Sequence, residues 1–202
     1  MNGIVFVISG PSGSGKGTVV DILRKIYPNA GVSVSATSRE PREGETEGVN
    51  YYYKTRDEFE KLIKNNEVLE YTEYNGNYYG TLKSEAERII GSGQDLILEI
   101  EVDGGRQIKK LLGDDCVLIM LMAPNSDEQE KRLRERGTES DDVINGRLER
   151  TREEINEASA YDYIVVNENK KSTECAGVIV SIIKAEHKRY KRNKAFIENY
   201  FG

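Results

Sequence analysis

The chain has 202 residues, a formal net charge of −6, 32% charged side chains and no tryptophan. That length suits one domain with insertions and a proper buried core, while the acidic balance excludes a surface that attracts nucleic acid or anionic membrane as a whole, so phosphate binding must come from local basic clusters. Two cysteines are too few for a disulfide framework, no apolar run approaches the roughly 20 residues of a membrane span, and residues 1–27 show no basic segment followed by a cleavage site; a soluble, cytoplasmic protein is expected.

In chain order, the first element is the apolar run Ile4–Ile8, which reads as a strand buried on both faces. It runs into Ser9-Gly10-Pro11-Ser12-Gly13-Ser14-Gly15-Lys16-Gly17-Thr18, and a helix through Ile26 follows, closed by Pro28. Strand, glycine loop and helix in that order make a P-loop. A phosphate chain bound there must take hydrogen bonds from bare backbone N–H groups at close range, and glycine lets the main chain curl around it without a Cβ clash. The positive end of the helix dipole faces the same spot, and the Lys16 ammonium can neutralise the outer phosphates. A turn that merely joined strand to helix would need one or two glycines and no lysine. One departure stands out: Gly17 occupies the place where the usual pattern has Ser or Thr, and the hydroxyl moves on to Thr18, which leaves the Mg²⁺ ligand open.

Residues 33 to about 83 break the apolar alternation, being polar and tyrosine-rich, and read as an inserted small domain. A helix over Ser84–Ile90 closed by Gly91, a strand over Asp95–Glu101, a helix over Gly105–Leu112 closed by Gly113 and a strand over Cys116–Met122 come next. Residues 125 to about 157 are dense in arginine and read as a mobile lid of two helices, after which Tyr163–Val166 is a strand and Thr173–Phe201 one long helix. Strands alternating with helices argue a parallel α/β sheet with helices on both faces and a ligand site at the carboxyl ends of the strands. Cys116 and Cys175 read as buried small hydrophobes, and the single histidine, His187, as a solvated helix position. Arg134, Arg150 and Arg152 fit i,i+4 ion pairs; Arg132 and Arg136 share a helix face that Arg147 can oppose from the next helix, and these three are the better functional candidates. Tyr52, Tyr53, Tyr71 and Tyr74 read as ordinary half-buried residues.

Beyond the glycine loop, Ser35-Ala-Thr-Ser-Arg39-Glu-Pro-Arg42-Glu-Gly-Glu45-Thr-Glu-Gly48-Val-Asn-Tyr51, Glu70, Gly76-Asn77-Tyr78-Tyr79-Gly80-Thr81, Glu99-Ile-Glu101 and Arg136-Gly137-Thr138-Glu139 together resemble the guanylate kinases over nearly the whole chain. The resemblance implies the fold of a P-loop nucleoside monophosphate kinase, with a core (1–32, 84–124, 158–202), a GMP-binding insert (33–83) and a helical lid (125–157). It implies the reaction ATP + GMP → ADP + GDP, with dGMP as a further acceptor and Mg²⁺ accompanying ATP, in a monomer or homo-oligomer without nucleic-acid or membrane partners. ATP would be held by Gly10, Pro11, Ser12, Gly13, Ser14, Gly15, Lys16, Gly17 and Thr18, with Arg132 and Asn167. GMP would be held by Ser35, Arg39, Arg42, Glu45, Tyr51, Glu70, Tyr79, Gly80, Thr81 and Glu99. Lys16, Arg42, Arg136 and Arg147 would act in catalysis, and Thr18 and Glu101 are the candidate metal ligands.

The chemistry of these residue types agrees. Two guanidinium forks suit a dianionic phosphate and two phenols can donate to its remaining oxygens, while guanine offers two adjacent donors, N1–H and N2–H₂, to the two acceptors of a carboxylate. Two other readings share the scaffold: a non-catalytic module that binds phosphorylated partners through the GMP site, and a kinase of another small phosphate acceptor.

Overall fold

The computed structural model describes residues 3–74, 76–135, 137 and 140–201. The chain opens with β1 (Val5–Ser9), the glycine loop and α1 (Lys16–Ile26), then β2 (Ala30–Val32), β3 (Ala36–Thr37), β4 (Tyr52–Tyr53), α2 (Arg56–Lys64), β5 (Val68–Tyr74) and β6 (Asn77–Leu82). It continues through α3 (Lys83–Gly91), β7 (Asp95–Glu99), α4 (Val102–Leu112), β8 (Cys116–Met122), α5 (Ser126–Glu135), α6 (Asp141–Asn156), β9 (Tyr163–Val166), α7 (Ser172–Glu186) and α8 (Tyr190–Glu198).

Five of these strands form a parallel sheet in the order β2-β7-β1-β8-β9, with β1 at the centre. The inner strands are apolar at nearly every position because alternate residues feed two cores. Phe6, Ile8, Ile97, Val117, Ile119 and Leu121 face α1 and α7, where Val19, Val20, Leu23, Cys175, Ala176, Ile179 and Ile183 complete one cluster. Val5, Val7, Leu96, Leu98, Cys116 and Leu118 face the other way, onto Ala86 and Ile89 of α3 and Ile108 of α4. Each fully buried Leu, Ile or Phe in these layers contributes about 1.5–3 kcal/mol. The expected parallel sheet with helices on both faces is present, and both cysteines lie buried as expected.

Residues 33–83 carry a second sheet, β4-β3-β6-β5, antiparallel except for the β3–β4 pair. α2 covers it through Phe59, whose ring stacks on Tyr78 at 5.3 Å, and Thr55 with Glu58 starts that helix in a reciprocal capping box. Two contacts bind β5 to the core helix α4. The Gln107 amide accepts from the Tyr71 N–H at 3.2 Å and donates to the Tyr71 carbonyl at 2.7 Å, taking the place of a neighbouring strand along this edge. Gly104 lies directly under Glu70, where an added Cβ would come within 2.5 Å of Oε2.

The C-terminal segment departs from the expected single helix. It divides into α7 and α8 at His187–Arg189, with Arg189 leaving the helical region at ψ 138°. Buried polar groups force the break. Glu186, fully buried, accepts from Tyr163 Oη at 2.7 Å and from Arg189 and Arg192, and His187 turns inward to Asp95, with Nε2 2.9 Å from Oδ2. His187 is therefore a tie between helix and sheet rather than a solvated side chain. The other boundaries move by a few residues: α4 begins at Val102, ahead of the expected Gly105, and β7 ends at Glu99, ahead of Glu101.

Candidate active site

The glycine loop connects the carboxyl end of β1 to α1, and its conformation explains its composition. Gly13 and Gly15 sit at φ 84° and 88°, in the left-handed region that side chains avoid. At Gly10 an added Cβ would meet the Leu121 carbonyl oxygen of β8 at 2.1 Å. The loop is strapped to its surroundings by its own carbonyls. Gln129 Nε2 donates to Ser12 O at 2.7 Å, Asn167 Nδ2 to Ser14 O at 2.9 Å, and Arg132 to Ser14 O at 3.4 Å and Asn167 O at 2.9 Å. With the carbonyls engaged behind the loop, its N–H groups other than that of Ser14, which donates to Pro11 O at 3.2 Å, and the α1 N-terminus are left to face a phosphate chain. Lys16 reaches back to the Gly10 carbonyl and lies 3.5 Å from Glu101 Oε1, and Thr18 is exposed in the first turn of α1.

From Ser12 a cavity of about 270 Å³ extends toward the second sheet, lined by Ser12, Ser35, Tyr51, Glu70, Thr72, Tyr74, Tyr79, Gly80, Glu99, Ile100, Glu101, Arg147, Arg150 and Glu154. Strand alternation puts Glu70, Thr72 and Tyr74 on one face of β5, while a register shift between Val68 and Glu70 brings Thr81 directly opposite Glu70. The Thr81 hydroxyl then donates to Glu70 Oε1 at 2.8 Å. Glu70 is 2% exposed, and burial pushes its carboxyl up to about 7, with the two Thr81 hydrogen bonds pulling the other way. Thr81 occupies only one carboxylate oxygen through its hydroxyl, which leaves acceptor capacity facing the cavity. Glu99 is likewise raised by burial, against the pull of Lys16, and its carboxylate stands 3.6 Å from where a Cβ on Gly17 would be. That is an ordinary van der Waals distance, so a small side chain at position 17 would fit beside it.

On the rim, Arg39 binds both oxygens of Glu45 through one nitrogen at 2.9 and 3.0 Å, and its guanidinium lies 5.5 Å from the Tyr51 ring centroid. The Glu45 carboxylate also accepts from the Arg42 N–H and from Tyr53 Oη, and Arg39 above all holds it down to about 2. Tyr51 and Tyr79 stand edge to face at 6.0 Å. Glu45 thus orders the Arg39–Arg42 turn through the Arg39 side chain and the Arg42 N–H, and Arg42 is exposed.

The α5–α6 pair closes the opposite wall. Arg147 donates to Ser12 Oγ at 2.7 Å and lies 5.8 Å from the Tyr74 ring centroid. Arg150 pairs with Glu154 at 3.0 Å, as the i,i+4 reading expects, yet both also line the cavity. Arg134 bonds Glu130 and Asp141 away from the cavity. Arg136, Thr138 and Glu139 lie outside the described residues.

Arg132 and Asn167 belong to the frame that shapes the loop rather than to the cavity lining. Sequence reasoning missed Thr72, Ile100 and Glu154 and set Tyr74 aside. The signal for Thr72 and Tyr74 was their period-2 spacing from Glu70, and for Glu154 its i+7 spacing from Arg147.

Comparison with known proteins agrees with this geometry. The guanylate kinase family model matches residues 3–180. The guanylate kinase of Oceanobacillus iheyensis is 45% identical over 190 residues, covering 94% of this chain and 91% of its own, and that of Lactococcus lactis is 46% identical over 198 residues, covering 98% and 94%. A crystal structure of guanylate kinase from Anaplasma phagocytophilum superposes with a TM-score of 0.76 at 32% identity, covering 95% of this chain and 89% of that one. A glycine loop and a buried carboxylate facing one another across a single cavity, matched over this much of the chain, place the protein in the guanylate kinase family.

Proposed function

We propose that this chain transfers the γ-phosphoryl group of ATP to GMP, giving ADP and GDP, in the cavity between the glycine loop and Glu70. The observation that carries the reading is Glu70 itself, buried against Thr81 and lining the same cavity as Ser12 of the glycine loop. Ionised, it would offer two acceptors to guanine N1–H and N2–H₂, with Ser35 donating toward O6. Adenine would present an unprotonated N1 to the carboxylate and no amine at C2. Arg39, Arg42, Tyr51 and Tyr79 would hold the acceptor phosphate, one of whose anionic oxygens is the nucleophile, so no general base is required.

In-line transfer then needs positioning and charge neutralisation around the γ-phosphoryl oxygens. Lys16, Arg42 and Arg147 would supply it, with Arg136 from the α5–α6 connection. We assign residues 33–83 as the acceptor-binding part, 125–157 as the lid and the remainder as the core; closure of the lid would expel water that could otherwise take the phosphoryl group. Thr18, Glu99 and Glu101 offer hard oxygen donors near Lys16, chemistry suited to Mg²⁺, and Thr18 and Glu101 would be the residues to hold it directly or through water. The ion would neutralise charge on the triphosphate. Among the described residues no helix is long and apolar enough to cross a membrane, and a cytoplasmic enzyme drawing on the nucleotide pool is the location we assign.

The alternative of a binding-only module is disfavoured because relatives named as kinases match over nearly their whole length and Lys16 and Arg147 are retained. An assay of ADP release with GMP, dGMP, AMP, CMP and UMP tests the reading. GMP is expected to exceed AMP in kcat/KM by roughly 10⁴, the discrimination typical when a wrong substrate leaves buried polar groups unpaired. Lys16→Ala should lower kcat by several orders of magnitude with GMP still bound. Equal turnover of AMP and GMP, or a fully active Lys16→Ala, would remove the assignment.

A further inference from the structure

We infer that Gln129 is a positioning residue for phosphoryl transfer, setting the register of α6, and with it Arg147, against the glycine loop. This rests on the proposed role of Arg147 and extends it to a residue pair that touches neither substrate. The hydrogen-bond directions leave little freedom. Ser12 O can only accept, so the Gln129 nitrogen must face it, at 2.7 Å. The second N–H of the same amide donates to Thr151 Oγ1 at 2.7 Å, and the Thr151 hydroxyl in turn donates to the Arg147 carbonyl at 2.9 Å. From the other side the Arg147 guanidinium donates to Ser12 Oγ at 2.7 Å.

The result is a closed circuit, Ser12–Gln129–Thr151–Arg147–Ser12, joining the loop, α5 and α6. Gln129 and Thr151 are 4% and 5% exposed, so water does not readily replace either bond. Packing seals the joint: an added Cβ at Gly13 would sit 3.1 Å from Gln129 Cγ and 3.2 Å from Leu133 Cγ. α5 therefore rests directly on the loop, and α6 is indexed to it through one amide.

Removing that amide leaves the Ser12 carbonyl without its partner and frees α6 to rotate or slide. The Arg147 side chain keeps its chemistry but loses its address. Misplacement of a catalytic group by about 1 Å can cost roughly 100-fold in rate, and it falls on kcat because the acceptor site is built from other elements.

The test is a double-mutant cycle on the full chain, read by steady-state kinetics. Gln129→Met removes both donors at similar volume, and Thr151→Val removes the hydroxyl at nearly constant shape. Each should lower kcat by roughly 10- to 100-fold, with KM for GMP and ATP changed by less than about twofold; Thr151→Ser, which keeps the hydroxyl, should restore turnover. In an Arg147→Ala background neither substitution should cost more, since the residue through which they act is gone. Thermal melts identify a variant that fails to fold, in which case the other one decides. If Arg147→Ala is slow while Gln129→Met and Thr151→Val are fast, or if their losses multiply with it, the inference falls and the proposed function stands. An Arg147→Ala enzyme with wild-type kcat would overturn the role of Arg147 and this inference together.

Discussion

At the scale of single residues, the group that governs acceptor binding is Glu70. Its carboxyl is pushed up to about 7 because burial penalises the charge more than Thr81 relieves it, whereas recognition of guanine requires the ionised form. A proton must therefore leave when GMP enters an empty site below neutrality. The sign follows: lowering the pH fills Glu70 in the free enzyme and weakens GMP, and raising it past 7 changes nothing further. kcat/KM for GMP should fall about tenfold per pH unit below 7 and be flat above, with the acceptor's own second phosphate ionisation, near 6, adding slope only at lower pH. A profile already flat at 6.5 would show that Glu70 is ionised in the free enzyme. For folding of the empty protein the same shift has the opposite consequence. A carboxyl that binds its proton more tightly when folded contributes stability at acid pH that is lost as pH rises from the ordinary value of 4.5 toward 7.

At the scale of elements, α4 is what keeps Glu70 in place. Gly104 is in its first turn and buried, and α4 also holds the β5 edge through Gln107. Alanine would raise intrinsic helix stability at this position by roughly 0.5–1 kcal/mol, but its Cβ would lie 2.5 Å from Glu70 Oε2, so the carboxylate would have to swing into the cavity and away from its bond to Thr81. Gly104→Ala is expected to raise KM for GMP by about tenfold or more through the lost carboxylate geometry, while KM for ATP stays near wild type. Steady-state titration of each substrate separates the two. An equal loss for ATP would mean that α4 supports the glycine loop as well.

At the scale of the whole molecule, the two ends of the parallel sheet have different duties. The nucleotide site occupies the carboxyl ends, as the strand polarity of an open α/β sheet demands. The amino ends are pinned by Asp95, a fully buried carboxylate that accepts from the Ile4 N–H at 2.9 Å and Tyr27 Oη at 3.2 Å and faces His187 Nε2 at 2.9 Å. One side chain thus joins β1, the end of α1 and the α7–α8 turn. Asp95→Ala should leave a buried backbone donor unpaired and lower stability by about 1–3 kcal/mol, a fall in Tm of roughly 2–4 °C for each kcal/mol in a domain of this size. Because β7 sets Asp95 about 15 Å from the site, KM for GMP should be unaltered in the folded variant. A shifted KM would show that the anchor and the site are coupled through the sheet.

The sequence by itself determined the glycine loop, the parallel α/β class, the buried strands and part of the cavity lining, because each of these rests on local order. A loop needs its glycines in succession, a doubly covered strand needs a nearly continuous apolar run, and Ser35 and Tyr79 stand in motifs that can be read in one dimension, whereas Glu70, a lone carboxylate between Leu69 and Tyr71, is legible only through the resemblance. Tertiary structure alone decided what depends on register and on distant partners. The pairing of Glu70 with Thr81 follows from a shift in the β5–β6 ladder, which leaves no mark in the composition of either strand. Glu45 came to lie behind Arg39, and Asn167 and Arg132 behind the loop, because a polar side chain's choice between ligand and backbone is settled by what is packed against it. The break between α7 and α8 carries neither glycine nor proline. Burying Glu186 and His187 against the sheet outweighs helix propensity there, and those partners lie 23 and 92 residues away along the chain.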